Sequence, residues 1–335
     1  FIVLMCIIFY SCETDFDVTA SYDDTMVVYG LLDPTQDFQS IRINKSYLGR
    51  EDAVLMGSNY DSIQYPVGDL EVSIQVGDDT SNRFYFIADT IEKKDDGDFA
   101  TDNNVVYMLY NSEDLFVDSL KVYNLEIVNK VTNERTTSST NLITDFELRK
   151  SDILVPFRFY EPTPPVGGTN YPFHKIEWSS AKYDKEFSNI TYQIDLQINY
   201  IEDNDTLNIL WKQPPIKNEG SSEGSTILEG QQFYNFISNN ISKDASKIRH
   251  FLNLDLIVSV GSPQLTTYIE VSQPNIGISQ EIIEYTNIEN GIGIFTSRIT
   301  RIKKSINLTS CSIEHLLTLD RNFVLTDSQN QSQCQ

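Results

Sequence analysis

Apolar and polar residues alternate with period two in several segments of the chain. From 70 to 76, Leu70, Val72, Ile74 and Val76 are apolar and every residue between them is polar. Successive side chains of a strand point to opposite faces, so this spacing predicts a half-buried β-strand. Residues 25–29, closed by Gly30, form a strand-like run. So do residues 39–48, where Ile41, Ile43 and Tyr47 share a face. Short strands are also predicted over 83–87, 105–110 and 122–128. The strongest pattern spans 191–200. Tyr192, Ile194, Leu196, Ile198 and Tyr200 fill one face, and Gln193, Asp195, Gln197 and Asn199 the other. Residues 174–178, 252–260, 265–271 and 298–304 complete the strand-like set. One segment differs. Over 231–241, Phe233, Phe236, Ile237 and Ile241 fall at helical spacing and predict a helix packed on a sheet.

Residues 161–168 hold three prolines and two glycines, which cannot continue a strand or a helix. Residues 218–225 have the composition of a flexible loop. Many short strands at close spacing predict a mainly β fold of two β-sandwich, immunoglobulin-like domains. The expected boundaries are residues 21–149 for the first domain and 150–321 for the second, which carries the helix. Residues 322–335 form a polar tail.

The first eleven residues are apolar and uncharged, too short to span a bilayer as a helix. They fit the core of a signal peptide whose basic start would precede Phe1. The run ends in Ser11-Cys12, a small residue before a cysteine, which matches the lipobox of bacterial lipoproteins. Phe9 stands where Leu is usual. Cleavage before Cys12 would leave a lipidated tether over 12–20, and acyl chains contribute roughly 0.8 kcal/mol per buried methylene. Glu13, Asp15 and Asp17 follow directly. This acidic start resembles the surface-export signal of Bacteroidota lipoproteins and implies an outer membrane location facing the exterior. With Cys6 and Cys12 assigned to signal and anchor, Cys311 and Cys334 remain. In an oxidising compartment they read as a disulfide, with two free thiols in a frayed tail as the alternative.

The chain has 335 residues, with 48 acidic and 25 basic side chains and a formal charge of −23. Phosphate backbones would repel such a body, so nucleic acid is not an expected partner. Docking on anionic lipid through a basic face is disfavoured as well. Apolar residues make up 40% of the chain, enough for a packed core.

Candidate chemistry is sparse. His174, His250 and His315 lie far apart in sequence, without metal-ligand spacing to one another or to cysteine. No Gly-x-Ser-x-Gly elbow accompanies them. Residues 95–102 are rich in carboxylates but lack the order of a calcium-binding EF-hand. Gly291 and Gly293 do not form a phosphate loop, because a strand-like stretch follows them. They read as close backbone packing or a bulge. The local positive patch, Arg298, Arg301, Lys303 and Lys304, reads as a charged strand face, with an acidic partner as the alternative. No catalytic residue, metal or cofactor is expected.

Several motifs occur together. They are the lipobox, residues 28–34 ending in Leu31-Leu32-Asp33-Pro34, residues 41–45 with Leu48-Gly49, and residues 286–298. In this combination the chain resembles an uncharacterised group of Bacteroidota outer-membrane lipoproteins, the domain-of-unknown-function family 4249 or a close relative. The resemblance covers most of the mature chain and is most specific at 286–298. It implies a non-enzymatic surface lipoprotein, accessory to a TonB-dependent transporter in nutrient capture. The alternative is a free-standing adhesion or protein-interaction module. The resemblance carries no functional residues over.

Overall fold

Fifteen strands form among the described residues of the computed structural model, which are 25–46, 57, 59–91, 104–116, 120–163, 170–272, 285–330 and 334. The architecture is mainly β, as the alternation implies. The first seven strands are β1 (Met26–Leu32), β2 (Phe38–Lys45), β3 (Leu70–Val76), β4 (Arg83–Ile91), β5 (Asn104–Tyr110), β6 (Val122–Asn129) and β7 (Arg135–Asn141). Then follow β8 (Glu147–Leu148), β9 (Phe173–Ser179), β10 (Ser188–Glu202), β11 (Asp205–Lys212), β12 (Ile216–Glu219) and β13 (Glu223–Glu229). The long strands β14 (Arg249–Gly261) and β15 (Ile292–Ile306) complete the set.

One mixed sheet of twelve strands runs in the order β11-β10-β14-β15-β1-β2-β5-β4-β3-β6-β7, with β12 beside β10. A separate sheet has the order β13-β9-β8. Two strands change partners part-way. In β4, Arg83 to Phe86 pair with β3, and Ile87 to Ile91 pair with β5. In β15, Ile292 to Ser297 run parallel to β1, and the residues from Arg298 onward pair antiparallel with β14. The first half rolls round far enough for β7 to meet the segment before β15, where Thr137 and Glu289 exchange backbone hydrogen bonds.

Burial follows the period-two pattern. Val72, Ile74 and Val76 are buried on β3, and Tyr192, Ile194, Leu196, Ile198 and Tyr200 are buried on β10. Ile41 and Ile43 are buried on β2, while Tyr47 lies outside the described residues. The apolar core has two clusters. One, built on β1–β6, reaches Leu142, Ile288 and Phe295. The other begins at Ile143 and runs to Phe323. Strand β15 supplies Phe295 to the first cluster and Ile299 to the second, so a single strand staples both.

Helix α1 (Gly230–Asn240) buries Phe233, Tyr234 and Ile237, and Phe236 stacks on Trp211. This matches the helical spacing seen in the sequence. Residues 265–271 are a correction: they belong to a helix, α2 (Pro263–Ser272), not a strand. Their Thr, Tyr, Ile and Val content favours strands. Ser262 and Pro263 override it as a helix start: Thr266 N–H donates to the Ser262 carbonyl, and proline suits the first helical position. Among the described residues no helix is long and apolar enough to cross a membrane.

Candidate functional site

The anchor and export residues Cys12, Glu13, Asp15 and Asp17 lie outside the described residues, as does the carboxylate-rich stretch 95–102. The most specific motif, residues 286–298, lies on the line where β15, β1 and β7 meet. Asn287 brackets Phe295 with its side-chain amide: Oδ1 accepts from the Phe295 N–H at 2.9 Å, and Nδ2 donates to the Phe295 carbonyl at 2.7 Å. Thr136 and Ser138 on β7 donate to the carbonyls of Asn290 and Asn287. Ser297 Oγ accepts from the Ile143 N–H at 2.8 Å and donates to the Asn141 carbonyl at 3.0 Å. Gly293, at φ +113°, lies against the backbone of Val28. Gly30 leaves space for the Phe295 ring, which would stand 2.9 Å from an added Cβ. The reading of Gly291 and Gly293 as close backbone packing agrees with this placement.

Asp33 of the Leu31-Leu32-Asp33-Pro34 motif is buried at the end of β1. Its Oδ1 accepts from the Thr35 N–H at 3.0 Å, and Gln39 bonds both its N–H and its carbonyl. Arg298 approaches Asp33 Oδ2 at 3.6 Å, and Arg301 pairs with Asp145. Two cations of the positive patch are thus paired inside the chain, and Lys304 is exposed.

The histidines are spread over the second half. His174 stacks on Phe157 with ring centroids 3.8 Å apart, and its Nε2 lies 2.8 Å from the Asp152 carbonyl. His250 Nδ1 faces the Val324 carbonyl at 3.1 Å. His315 stacks on Tyr160 at 3.9 Å, meets Tyr234 edge-on, and lies 3.2 Å from the Tyr171 hydroxyl. Desolvation holds His174 and His315 below the usual histidine range. A depressed histidine takes its proton first in the unfolded chain. Its contribution is therefore fully present above the ordinary pKa of 6.5 and is lost as pH falls through its lower folded value. Acidification from about pH 7.5 to about pH 5 is expected to lower Tm. The variant His315→Phe, which keeps the stacking, is expected to flatten that dependence. Identical slopes in thermal scans of the two proteins would rule His315 out as a cause.

Cys311, in helix α3 (Ser310–Leu316), and Cys334 form a disulfide with Cα atoms 4.5 Å apart. The strap before Cys334 is held at several points. Phe323 is buried, Val324 N–H donates to the Arg249 carbonyl, and Gln329 Nε2 donates to the Phe251 carbonyl. The loop closed has a sequence separation of 23. Replacing both cysteines by serine is expected to cost roughly 3 kcal/mol, by loop entropy, in urea unfolding. No change in the midpoint would mean that the strap docks without the bond.

Sequence reasoning missed Arg249. Its side chain is fully buried, yet it is charged. Glu202 accepts from its Nε at 2.8 Å and from its Nη2 at 2.7 Å, and the Arg321 carbonyl accepts from Nη1 at 2.7 Å. A signal was available, because Arg249 sits two residues before Phe251, at an inward position of the alternating strand.

Among the described residues, clefts open on the surface at several places. One of about 540 Å³ is lined by Thr25, Met26, Tyr65, Arg135 and Asn290 among others. A second, of about 390 Å³, lies over Gln75, Arg83, Glu126 and Ser139. A third, of about 350 Å³, sits under the C-terminal strap beside Leu308, Ile313 and Glu314. None is lined by histidine or cysteine. Among the described residues no group of three His, Cys, Asp or Glu side chains is placed to hold a metal ion. The second half also exposes apolar side chains. Phe173 is 59% and Ile227 46% exposed. They are diagonal neighbours on the outer face of the small sheet, since Phe173 pairs with Glu229 and Ile227 with Lys175. Leu154 and Val155 are exposed just after the helical turn Lys150–Ile153, which packs on β9.

No protein-family model matches the chain, and a search of curated proteins finds no relative. The likeness to surface lipoproteins therefore rests on the quoted motifs alone. Among the described residues, motif residues 28–34 and 41–45 lie on and just after β1 and on β2, and residues 286–298 join β15 to β1 and β7.

Proposed function

We propose that the protein is a non-enzymatic lipoprotein, anchored through Cys12 to the outer membrane and facing the exterior, and accessory to a TonB-dependent transporter in nutrient capture. The anchor and the transporter come from the lipobox and from the motif resemblance. The observation that carries a partner-binding role is the exposed pair Phe173 and Ile227 on the outer face of the small sheet. Apolar side chains exposed side by side are typical of surfaces that meet another protein. Free-standing adhesion is the second reading, and the same exposed pair would serve it.

A gentle-detergent pull-down of the tagged protein from outer membranes separates the two. Stoichiometric recovery of a TonB-dependent barrel, lost in the variant Phe173→Asp, is the expected result. Recovery of the lipoprotein alone, under conditions that keep other membrane complexes intact, would overturn the transporter reading and favour the adhesion module.

A further inference from the structure

The small sheet ends on β13. In the order β13-β9-β8, no strand lies on its other side among the described residues. Two hydrogen bonds fix which of its backbone groups are used. Gly230 N–H donates to the Pro172 carbonyl at 3.1 Å, and Ser180 N–H donates to the Ser222 carbonyl at 2.8 Å. Both bonds continue the register that sets Glu223 opposite Ser179 and Glu229 opposite Phe173. In an antiparallel pair a strand bonds to a given neighbour at every second residue. Gly224, Thr226 and Leu228 therefore bond to β9. Ser225, Ile227 and Glu229 turn their N–H groups away from it, and Ser225 and Ile227 turn their carbonyls away as well. Glu223 closes one end of this edge, because Ser221 Oγ accepts from its N–H and donates to its carbonyl. The open stretch from Ser225 to Glu229 is roughly 13 Å long.

Natural edge strands are commonly closed to further pairing by lysine, proline or a bulge. Strand β13 carries neither lysine nor proline, and its register with β9 is unbroken. Its outer face holds Glu223, Ser225, Ile227 and Glu229, beside Phe173, Lys175 and Glu177 of β9. The charges on this face are uneven. Arg149 and Lys175 both pair with Glu177. Glu229 accepts from Gln232 Nε2 at 2.7 Å. No cation pairs with Glu223 or Glu229 among the described residues.

Building on the reading of Phe173 and Ile227 as a partner-binding surface, we infer that β13 is the docking edge for an extended segment of a partner protein. The segment adds to the small sheet as a fourth strand, with an apolar residue opposite Ile227 and basic residues opposite Glu229 and Glu223. In such recognition the main-chain hydrogen bonds supply affinity, and alternate side chains supply specificity. Ser225, Ile227 and Glu229 offer the main-chain groups. Ile227 and Phe173 flank the apolar residue, and opposite charges across the new strand pair offset the two carboxylates left without a cation. In an antiparallel addition the basic residues fall two positions before the apolar one and four after it. An acidic segment would fit the ladder but not the charges.

The probe is the labelled peptide Lys-Thr-Val-Thr-Thr-Thr-Lys, capped at both ends and added to the full-length protein. Binding is followed by fluorescence anisotropy, and amide hydrogen exchange is resolved to single residues. Without peptide, the amides of Ser225 and Ile227 are expected to exchange much faster than those of Thr226 and Leu228. The peptide should slow the first two several-fold. Methylating the valine nitrogen removes the donor to the Ile227 carbonyl and should weaken binding about tenfold. Methylating the next threonine nitrogen, which faces away from β13, should change binding little. Glutamate in place of both lysines should abolish it. Equal losses from the two methylations, binding without protection of Ser225 and Ile227, or no binding at millimolar peptide each overturn strand addition. The membrane pull-down with Ser225→Pro separates this outcome from the transporter reading. Proline at an outward-facing edge position removes one donor and leaves the β9 ladder in place. A barrel recovered with the wild type and lost with Ser225→Pro is the expected result. Equal recovery with both overturns strand addition and leaves the transporter reading standing. No barrel with the wild type overturns the transporter reading, and the peptide result then decides strand addition by itself.

Discussion

Replacing Gly293 by alanine is expected to destabilise the fold by about 4 kcal/mol, placing it among the most damaging point substitutions. Two costs add. The residue adopts φ +113°, a region that L side chains rarely occupy, and holding one there costs of order 1–3 kcal/mol. The added Cβ would also drive into the Val28 carbonyl oxygen, which belongs to the backbone and cannot rotate aside. Relief would require β15 to move off β1 along the parallel stretch that pairs Val27 with Ile292 through Leu32 with Ser297. Both core clusters depend on β15, so the loss is expected to appear as one cooperative drop in urea midpoint. Gly68 is the control. It too has positive φ, at +100°, but nothing lies within 4 Å of its added Cβ. The variant Gly68→Ala should therefore suffer only the backbone strain. Equal losses at the two positions would show that close approach at Gly293 is not what matters.

The second large effect is at Arg249. The variant Arg249→Met is expected to cost roughly 3 kcal/mol, because it puts an apolar side chain against Glu202 and leaves it only the more distant cation Lys247, at 3.9 Å. Glu202 also keeps about a fifth of its side chain exposed, which holds the expected value at the lower end of what a broken buried pair costs. The Arg321 carbonyl loses its donor as well, and the strap around Phe323 is expected to loosen with it. The double variant Arg249→Met with Glu202→Leu should recover part of the loss, since no unpaired charge then remains. A single variant as stable as wild type would mean that solvent reaches Glu202 freely.

Much of the strand set was legible because each strand buries one face, and burial leaves a period-two trace. Strand β10 is the clearest case: the five residues read as one apolar face are the ones buried. Helix α1 was legible for the matching reason at period 3.6. Helix α2 was not, because its Thr, Tyr, Ile and Val residues mimic a strand, and only Ser262 and Pro263 mark its start. The double pairing of β15 was also hidden. Period-two alternation shows which face of a strand is buried, but not which strand lies beside it. The run Gly293 to Arg298 reads the same whether its neighbour is β1 or β14. The motif at 286–298 stood out as a pattern of Asn, Gly, Ser and Arg, residue types that serve chemistry or backbone geometry equally. The structure assigns the Asn287 bracket, the Gly293 approach and the Ser297 bridge to joining strands. Arg249 escaped notice because charged residues in a strand are expected to face solvent. Its inward register two residues before Phe251 was the available clue.

The most direct measurement is metabolic labelling of cells with an alkyne fatty acid, comparing the full-length chain with its Cys12→Ala variant. Surface protease treatment of intact cells accompanies it. The expected result is acyl label on the wild type, none on the variant, and digestion of the wild type from outside. An unlabelled wild-type chain recovered in the soluble fraction would contradict the anchored, outward-facing reading.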